Sequence, residues 1–301
     1  NLCNNHIMDA GQDGLTMTLQ EAEKFGAKTI GVGMNMTDAA KPLILDEAGG
    51  IGIFAVGYQR GCKPAGEDKG GCLSWSEMEV IRSVIQEIKA KCRWCVVVAH
   101  GGEEFTAIPS PYTRERYHAY LEMGADLVVC HHPHVPMNYE TVGDKMIFYS
   151  LGNFIFDTDY QRAQFNTEKG ILLKLHFTET KYSFEALGLK INRENEHIET
   201  APLPKIFADI QEDDYNKLEP LAAKMFLAAT KRQQLFLYPD KFKNATEAQW
   251  KDHFYEEKRS GRVPGEALDF QIIYPIAQEE AKGAWKECKL EAVKAYILEQ
   301  M

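Results

Sequence analysis

Two apolar runs in this chain end on histidine, CVVVAHGG at 95–102 and ADLVVCHHPH at 125–134. Runs so rich in valine read as strands of a sheet buried on one or both faces, and IGIFAVGY at 51–58 has the same character. Stretches of helical period lie around them. GLTMTLQEAEKFGA places Leu15, Leu19, Ala22 and Phe25 on one face of a helix over 12–25, which Gly26 stops. Ser76 can cap a second helix through EMEVIRSVIQEIKA, and a third is expected over 112–123. Further strands are expected at TIGVGM, at Leu43 to Leu45 and at KMIFYSLGN. Such alternation of strand, loop and helix predicts an α/β sandwich. From 170 onward, ILLKLHFTE and YSFEALGLKIN have period two and predict an antiparallel hairpin that completes a sheet edge. Beyond Pro202 the chain is charged and amphipathic near 213–233, 245–258 and 277–300. The expected organisation is a main domain over 1–200 and a helical C-terminal extension over 201–301.

With 301 residues, 45% of them hydrophobic, the chain has ample material for a core. A formal charge of -10 argues against a nucleic-acid partner. No run reaches the roughly 18 apolar residues of a membrane-spanning helix. Of seven cysteines, Cys95 and Cys130 fall in buried strands, and the C-x-x-C of Cys92 and Cys95 lacks the second pair of a zinc ribbon. Cys62 and Cys72 bracket GCKPAGEDKGGC, where a disulfide is possible in an exported protein. The thiol count favours a cytoplasmic protein with every cysteine reduced. The alternative is a membrane-associated or exported protein, directed there by a segment upstream of Asn1.

The histidines cluster at strand ends. His6, His100, His131, His132 and His134 all lie in loops next to expected strands or at a helix start. In an open α/β sheet the carboxyl ends of the strands gather the ligand-binding loops, so three segments are expected to converge on one rim. His132 and His134 flank Pro133; in an extended segment both imidazoles point to one side and can serve one ion or two adjacent ions. The bland alternative is a polar turn. His100 ends its strand beside Gly101 and Gly102, whose missing Cβ atoms leave room for a close approach. Asn5 offers an amide oxygen, a hard ligand suited to Mn, Mg or Fe, and His6 an imidazole able to protonate a leaving oxygen. Asp9 is grouped with His6 as a catalytic pair, although it can equally serve as a plain helix N-cap.

Taken in order, NNHIMDAGQDGL, VVVAHGGEEF with Pro109 downstream, GADLVVCHHPHV and KMIFYSLGNFIFD resemble the bacterial capsule synthesis CapA family. These poly-γ-glutamate capsule proteins belong to the calcineurin-like metallophosphatase superfamily, and the resemblance covers about residues 1–180. It implies a metallophosphatase-like α/β/β/α sandwich with a centre of two divalent ions, Mn, Fe or Zn, at the strand ends. The implied activity is hydrolysis of phosphoester or related bonds in capsule-polymer synthesis. The implied alternative is a non-catalytic assembly factor that binds a polyanionic polymer or a synthase partner. By the same resemblance Asn5, His100, His132 and His134 are ligands and His6 is the general acid. Glu104, His131 and Asn153 are assigned to substrate, while Ser150, Gly152 and Asp157 match the family pattern without a settled role. Asn153 is equally readable as a turn residue with a left-handed backbone.

The chain departs from the family in two respects. Cys130 stands where a glycine commonly precedes the histidine-rich motif, which is expected to narrow that loop. The family's upstream Gly-Asp strand end and second acidic segment have no counterpart. The chain is therefore expected to begin in mid-domain, with roughly 80–100 residues of a typical domain, and the remaining metal-holding carboxylates, preceding Asn1.

Overall fold

The computed structural model describes residues 1–58, 61–162, 164, 166–219, 222 and 246. The fold is mixed α/β and metallophosphatase-like. Its elements in chain order are α1 (Gly11–Lys24), β1 (Val32–Gly33), α2 (Met36–Ala40), β2 (Leu43–Leu45), β3 (Ile51–Gly57), β4 (Gly71–Cys72), α3 (Met78–Lys91) and β5 (Trp94–His100). There follow α4 (Pro111–Met123), β6 (Leu127–His131), β7 (Tyr139–Val142), β8 (Lys145–Phe148), α5 (Asp159–Arg162), β9 (Lys169–Phe177), β10 (Tyr182–Asn192) and β11 (His197–Ala201).

A six-stranded sheet in the order β2-β3-β5-β6-β8-β7 is the frame. Its four inner strands run parallel, and β2 and β7 close the edges antiparallel. The period-two alternation of a strand divides these residues between two cores. Phe54, Val56, Val97, Ala99, Val128, Cys130 and Ile147 face the helix layer, where Ile81, Ile85 and Ile88 of α3 and Tyr117, Tyr120 and Leu121 of α4 cover them. Ile51, Trp94, Val96, Leu127, Val129 and Phe148 face the other way, onto Leu173, Leu175, Phe177, Tyr182 and Phe184. Those belong to a three-stranded antiparallel sheet, β11-β10-β9. Each such fully buried side chain contributes about 1.5–3 kcal/mol over its exposed state. Helix α3 approaches β3 so closely that a Cβ at Gly52 would stand 2.3 Å from Ile88 Cγ2.

Several expected elements differ in extent. TIGVGM forms a strand only at Val32–Gly33, paired with β4 in a separate two-stranded sheet, because Gly31 turns with φ 84° and breaks the extended run. KMIFYSLGN leaves the sheet after Phe148, where its pairing with β6 ends, and crosses towards β9 through the bridge Gly152–Gly170. Ser76 does not cap α3; its Oγ is engaged with Ser74 Oγ at 2.8 Å, and Glu77 holds the cap position without a side-chain hydrogen bond. For α4 the cap is Ser110, whose Oγ accepts from Thr113 N–H. The Cys130 side chain lies in the helix-side core. The hairpin from 170 onward is present as β9 and β10, and β11 extends it.

Residues after 201 start on the main body. Ile206, Ile210 and Tyr215 pack with Ala107 and Ile108, and Tyr215 O–H donates to Pro109 O at 3.0 Å. A helix occupies 212–219; the rest of the amphipathic stretch over 213–233, and those near 245–258 and 277–300, lie outside the described residues. Among the described residues no helix is long and apolar enough to cross a membrane.

A buried ionic knot joins α4 to the sheet edge. Glu140 of β7 accepts from Arg114 Nε and Nη2 and from Tyr149 O–H at 2.6–3.0 Å, and His118 Nε2 stands 3.1 Å from its Oε1. Burial by itself would raise the Glu140 pKa, yet His118 beside it and the hydrogen bonds from Arg114 and Tyr149 outweigh it and bring the group down to about 2. A depressed carboxyl stabilises the fold above its unfolded value of 4.5 and loses that contribution as pH falls towards about 2. Glu140→Gln is expected to cost about 3 kcal/mol or more at neutral pH, the scale for breaking a buried ion pair. In urea unfolding the gap between variant and wild type should shrink steadily below the unfolded carboxyl pKa; a gap constant down to the acid limit would contradict this role.

Candidate metal centre

Strands β5 and β6 are register neighbours with His100 opposite His131, so the loops that leave them start side by side. The turn 131–134 then folds over the strand ends. It is not extended: His132 has φ 110° and His134 φ 63°, and Phe105 of the adjoining loop has φ 62°. Three non-glycine residues in the left-handed region on one rim mark a place where packing overrides local preference. The turn nonetheless holds the His132 and His134 rings 6.0 Å apart, with His100 4.8 Å from His132.

The N-terminal segment reaches the same rim. Leu2 N–H donates to Ile30 O, and Asn4 Oδ1 accepts from His6 N–H at 2.8 Å, which shapes the turn into α1. Asn5 Oδ1 accepts from His100 Nε2 at 3.1 Å. His6 Nδ1 donates to Asp9 Oδ2 at 2.8 Å on an exposed surface. Asp9 therefore partners His6, and the cap position of α1 belongs to Ala10.

Glu104, His132 and His134 each present a ligand atom, and all lie within 4.8 Å of one another. A divalent ion with bonds of about 2.0–2.2 Å can draw such a set together through small rotations. One carboxylate and two imidazoles suit Mn, Fe or Zn, and the Asn5–His100 pair beside them adds an amide oxygen and a further imidazole. The donor set thus fits the expected divalent metal. Glu104, assigned from sequence to substrate, stands with His132 and His134 in this group.

The electrostatics fit the same purpose. Burial, reinforced by His132, His131 and His134, lowers the His100 pKa to about 2. Burial also lowers His131, to about 4, and lowers His134. These rings are neutral at physiological pH, the form that offers a lone pair to a cation. His131 itself is half-buried and stands outside the three-residue ligand group.

Asn153 lies behind His134. Its Nδ2 donates to Gln161 Oε1 and Thr167 O, which leaves Oδ1 to accept from His134 Nδ1 at 2.9 Å. The proton therefore sits on Nδ1 and His134 Nε2 keeps its lone pair. The left-handed residue of this turn is Gly152, at φ 70°, rather than Asn153. Ser150 is buried and its Oγ accepts from Gly152 N–H. Asp157 pairs with Arg162 and Arg193. Glu103 accepts from Ser110 and Thr113 and ties the loop to the start of α4.

Sequence reading missed an aromatic collar. His134 stacks with Phe105 at 5.7 Å and with Phe156 at 5.2 Å, Tyr160 meets the edge of Phe105, and Tyr58 lies 4.6 Å from His132. The only signal was position: Phe105 follows Glu104, and Phe156 lies in the segment that begins with Asn153.

Residues 1–158 match the family described as bacterial capsule synthesis protein PGA_cap. The PGA biosynthesis protein CapA of Bacillus subtilis is 34% identical over 168 residues, 54% of this chain and 44% of that protein. The capsule biosynthesis protein CapA of Bacillus anthracis is 30% identical over 170 residues, 54% of this chain and 41% of that protein. A probable polyglutamine synthesis accessory protein of Mycobacterium tuberculosis is 25% identical over 177 residues, 52% of this chain and 44% of that protein. The matched segment thus spans less than half the length of each of these relatives.

Removing the support behind His134 should weaken metal binding without abolishing it. Asn153→Ala is expected to lower the affinity for Mn²⁺ or Zn²⁺ by about 10–100-fold, the scale of a lost partner to a ligating histidine. Calorimetric titration, with the thermal midpoint as a check on folding, reads the change; wild-type affinity in a folded variant would remove Asn153 from the site.

Proposed function

Since the chain belongs to the bacterial capsule synthesis protein family PGA_cap, we propose that its strand-end rim is a two-ion divalent-metal centre. In this reading it hydrolyses a phosphoester or related bond during synthesis of a poly-γ-glutamate type of polymer. The observation that carries the proposal is the convergence of Glu104, His132 and His134 beside the Asn5–His100 pair. Bound there, divalent ions supply positive charge that polarises the scissile bond and offsets charge developing in the transition state.

The chain's own residues do the rest. His132, His134, Glu104, His100 and Asn5 hold the cations. Asn153 keeps His134 in the tautomer that ligates. Asp9 accepts from His6 Nδ1, which fixes the ring and turns Nε2 outward as the atom that delivers a proton to the departing oxygen. His131, on the strand end next to His100, lines the floor against which the substrate sits. Phe105 and Phe156 wall His134 with apolar surface and limit water on that side.

One observation favours a second reading, an assembly factor that binds polymer or a synthase. Phe154, Ile155 and Tyr160 are more than half exposed and Phe156 is 43% exposed, an apolar ridge next to the ligands. The two readings separate by experiment. With metal-loaded protein and a chromogenic phosphodiester, His6→Ala should lose about 10²-fold in turnover at unchanged metal content. His132→Ala should lose metal. Wild-type rates and metal content in both variants would refute the site assignment, and an inert wild type with full metal content would leave the binding reading.

A further inference from the structure

A second donor set lies behind the rim, of different chemistry. Cys3 comes from the N-terminal segment and Cys62 and Cys72 from the two ends of the 61–72 loop, and their Sγ atoms all lie within 4.8 Å of one another. All three are unpaired thiols and are sealed, at 1%, 0% and 0% exposure. Their surroundings are apolar, built from Leu15, Ile30, Val32 and Ala55. Space for the sulfurs is kept by Gly57, where a Cβ would stand 2.6 Å from Cys62 Sγ and 2.8 Å from Cys3 Sγ. Backbone oxygens stand at the margin: Cys72 Sγ is 3.8 Å from Asn4 O and Cys62 Sγ 3.9 Å from His100 O.

We propose that Cys3, Cys62 and Cys72 form a structural site for a thiophilic divalent cation of the zinc type, independent of the outer rim. Three sulfurs without a carboxylate or imidazole select soft or borderline ions over Mg, Ca or Mn. A disulfide uses two sulfurs and leaves the third without a role, whereas a cation uses all three. As each thiol ligates, its proton passes to solvent, so three bound thiolates and one doubly charged ion leave a single net negative charge. The site staples the N-terminal segment to the 61–72 loop only two residues before Asn5, and so fixes the base from which Asn5 and His6 reach the rim.

The test uses the full chain, reduced and stripped of metal, titrated with Cd²⁺ and followed by the sulfur-to-cadmium ultraviolet charge-transfer band. One equivalent should develop a band of three-thiolate intensity, and His132→Ala should leave it intact, which separates this site from the rim. Cys3→Ser, Cys62→Ser and Cys72→Ser should each weaken Zn²⁺ competition by roughly 100-fold or more, whereas Cys92→Ser should not change it. Wild-type protein settles the matter if the variants fail to fold. No charge-transfer band, or a Cys62–Cys72 disulfide in protein isolated under alkylating conditions, overturns the proposal.

Discussion

Parallel strands can be joined only by crossovers that carry the chain back to the same end of the sheet, and the architecture rests on that constraint. Strands β3, β5 and β6 run parallel and end at Gly57, His100 and His131. Each carboxyl end therefore releases its loop onto one rim, and α3 and α4 return the chain along one face. The second sheet seals the opposite face through Trp94, Phe148 and Phe184. With both faces covered, the strand ends are where polar side chains can gather with partial access to solvent.

Burial then sorts the ionisable groups by what surrounds them. Glu103 and Glu104 are neighbours in sequence, yet one accepts hydrogen bonds from Ser110 and Thr113 and the other stands with two histidines. Glu140 is buried among three donors and serves the fold. At the rim desolvation outweighs the pull of Glu104 on His134 and lowers both His100 and His134. The same low polarity that lowers a histidine pKa leaves its lone pair available, and this favours cation binding over a salt bridge.

Two donor chemistries meet within the first six residues. Asn5 and His6 face outward with oxygen and imidazole, while Cys3 turns inward to two further sulfurs. The strained backbone at Phe105, His132 and His134 shows that the rim is held by its packing, and Asn153 and the stacked phenylalanines are the contacts that hold it.

Much of this was legible in the sequence because its signals are local. The apolar runs that end at His100 and His131, the helical period of α1 and α3, and the alternation of β9 and β10 each reflect a burial pattern that a short window records. The ordered histidine motifs pointed to the family for the same reason. Strand length was not local: TIGVGM and KMIFYSLGN shortened because Gly31 turned and because the chain left β6 after Phe148. Nor were the pairings Asn5–His100, Asn153–His134 and Cys3–Cys62–Cys72, which join residues far apart in the chain. The sequence by itself determined that this is an α/β chain with histidines at its strand ends. Only the tertiary structure decided which glutamate joins them, which asparagine orients them and which thiols meet, because those choices depend on where the crossovers set one loop against another.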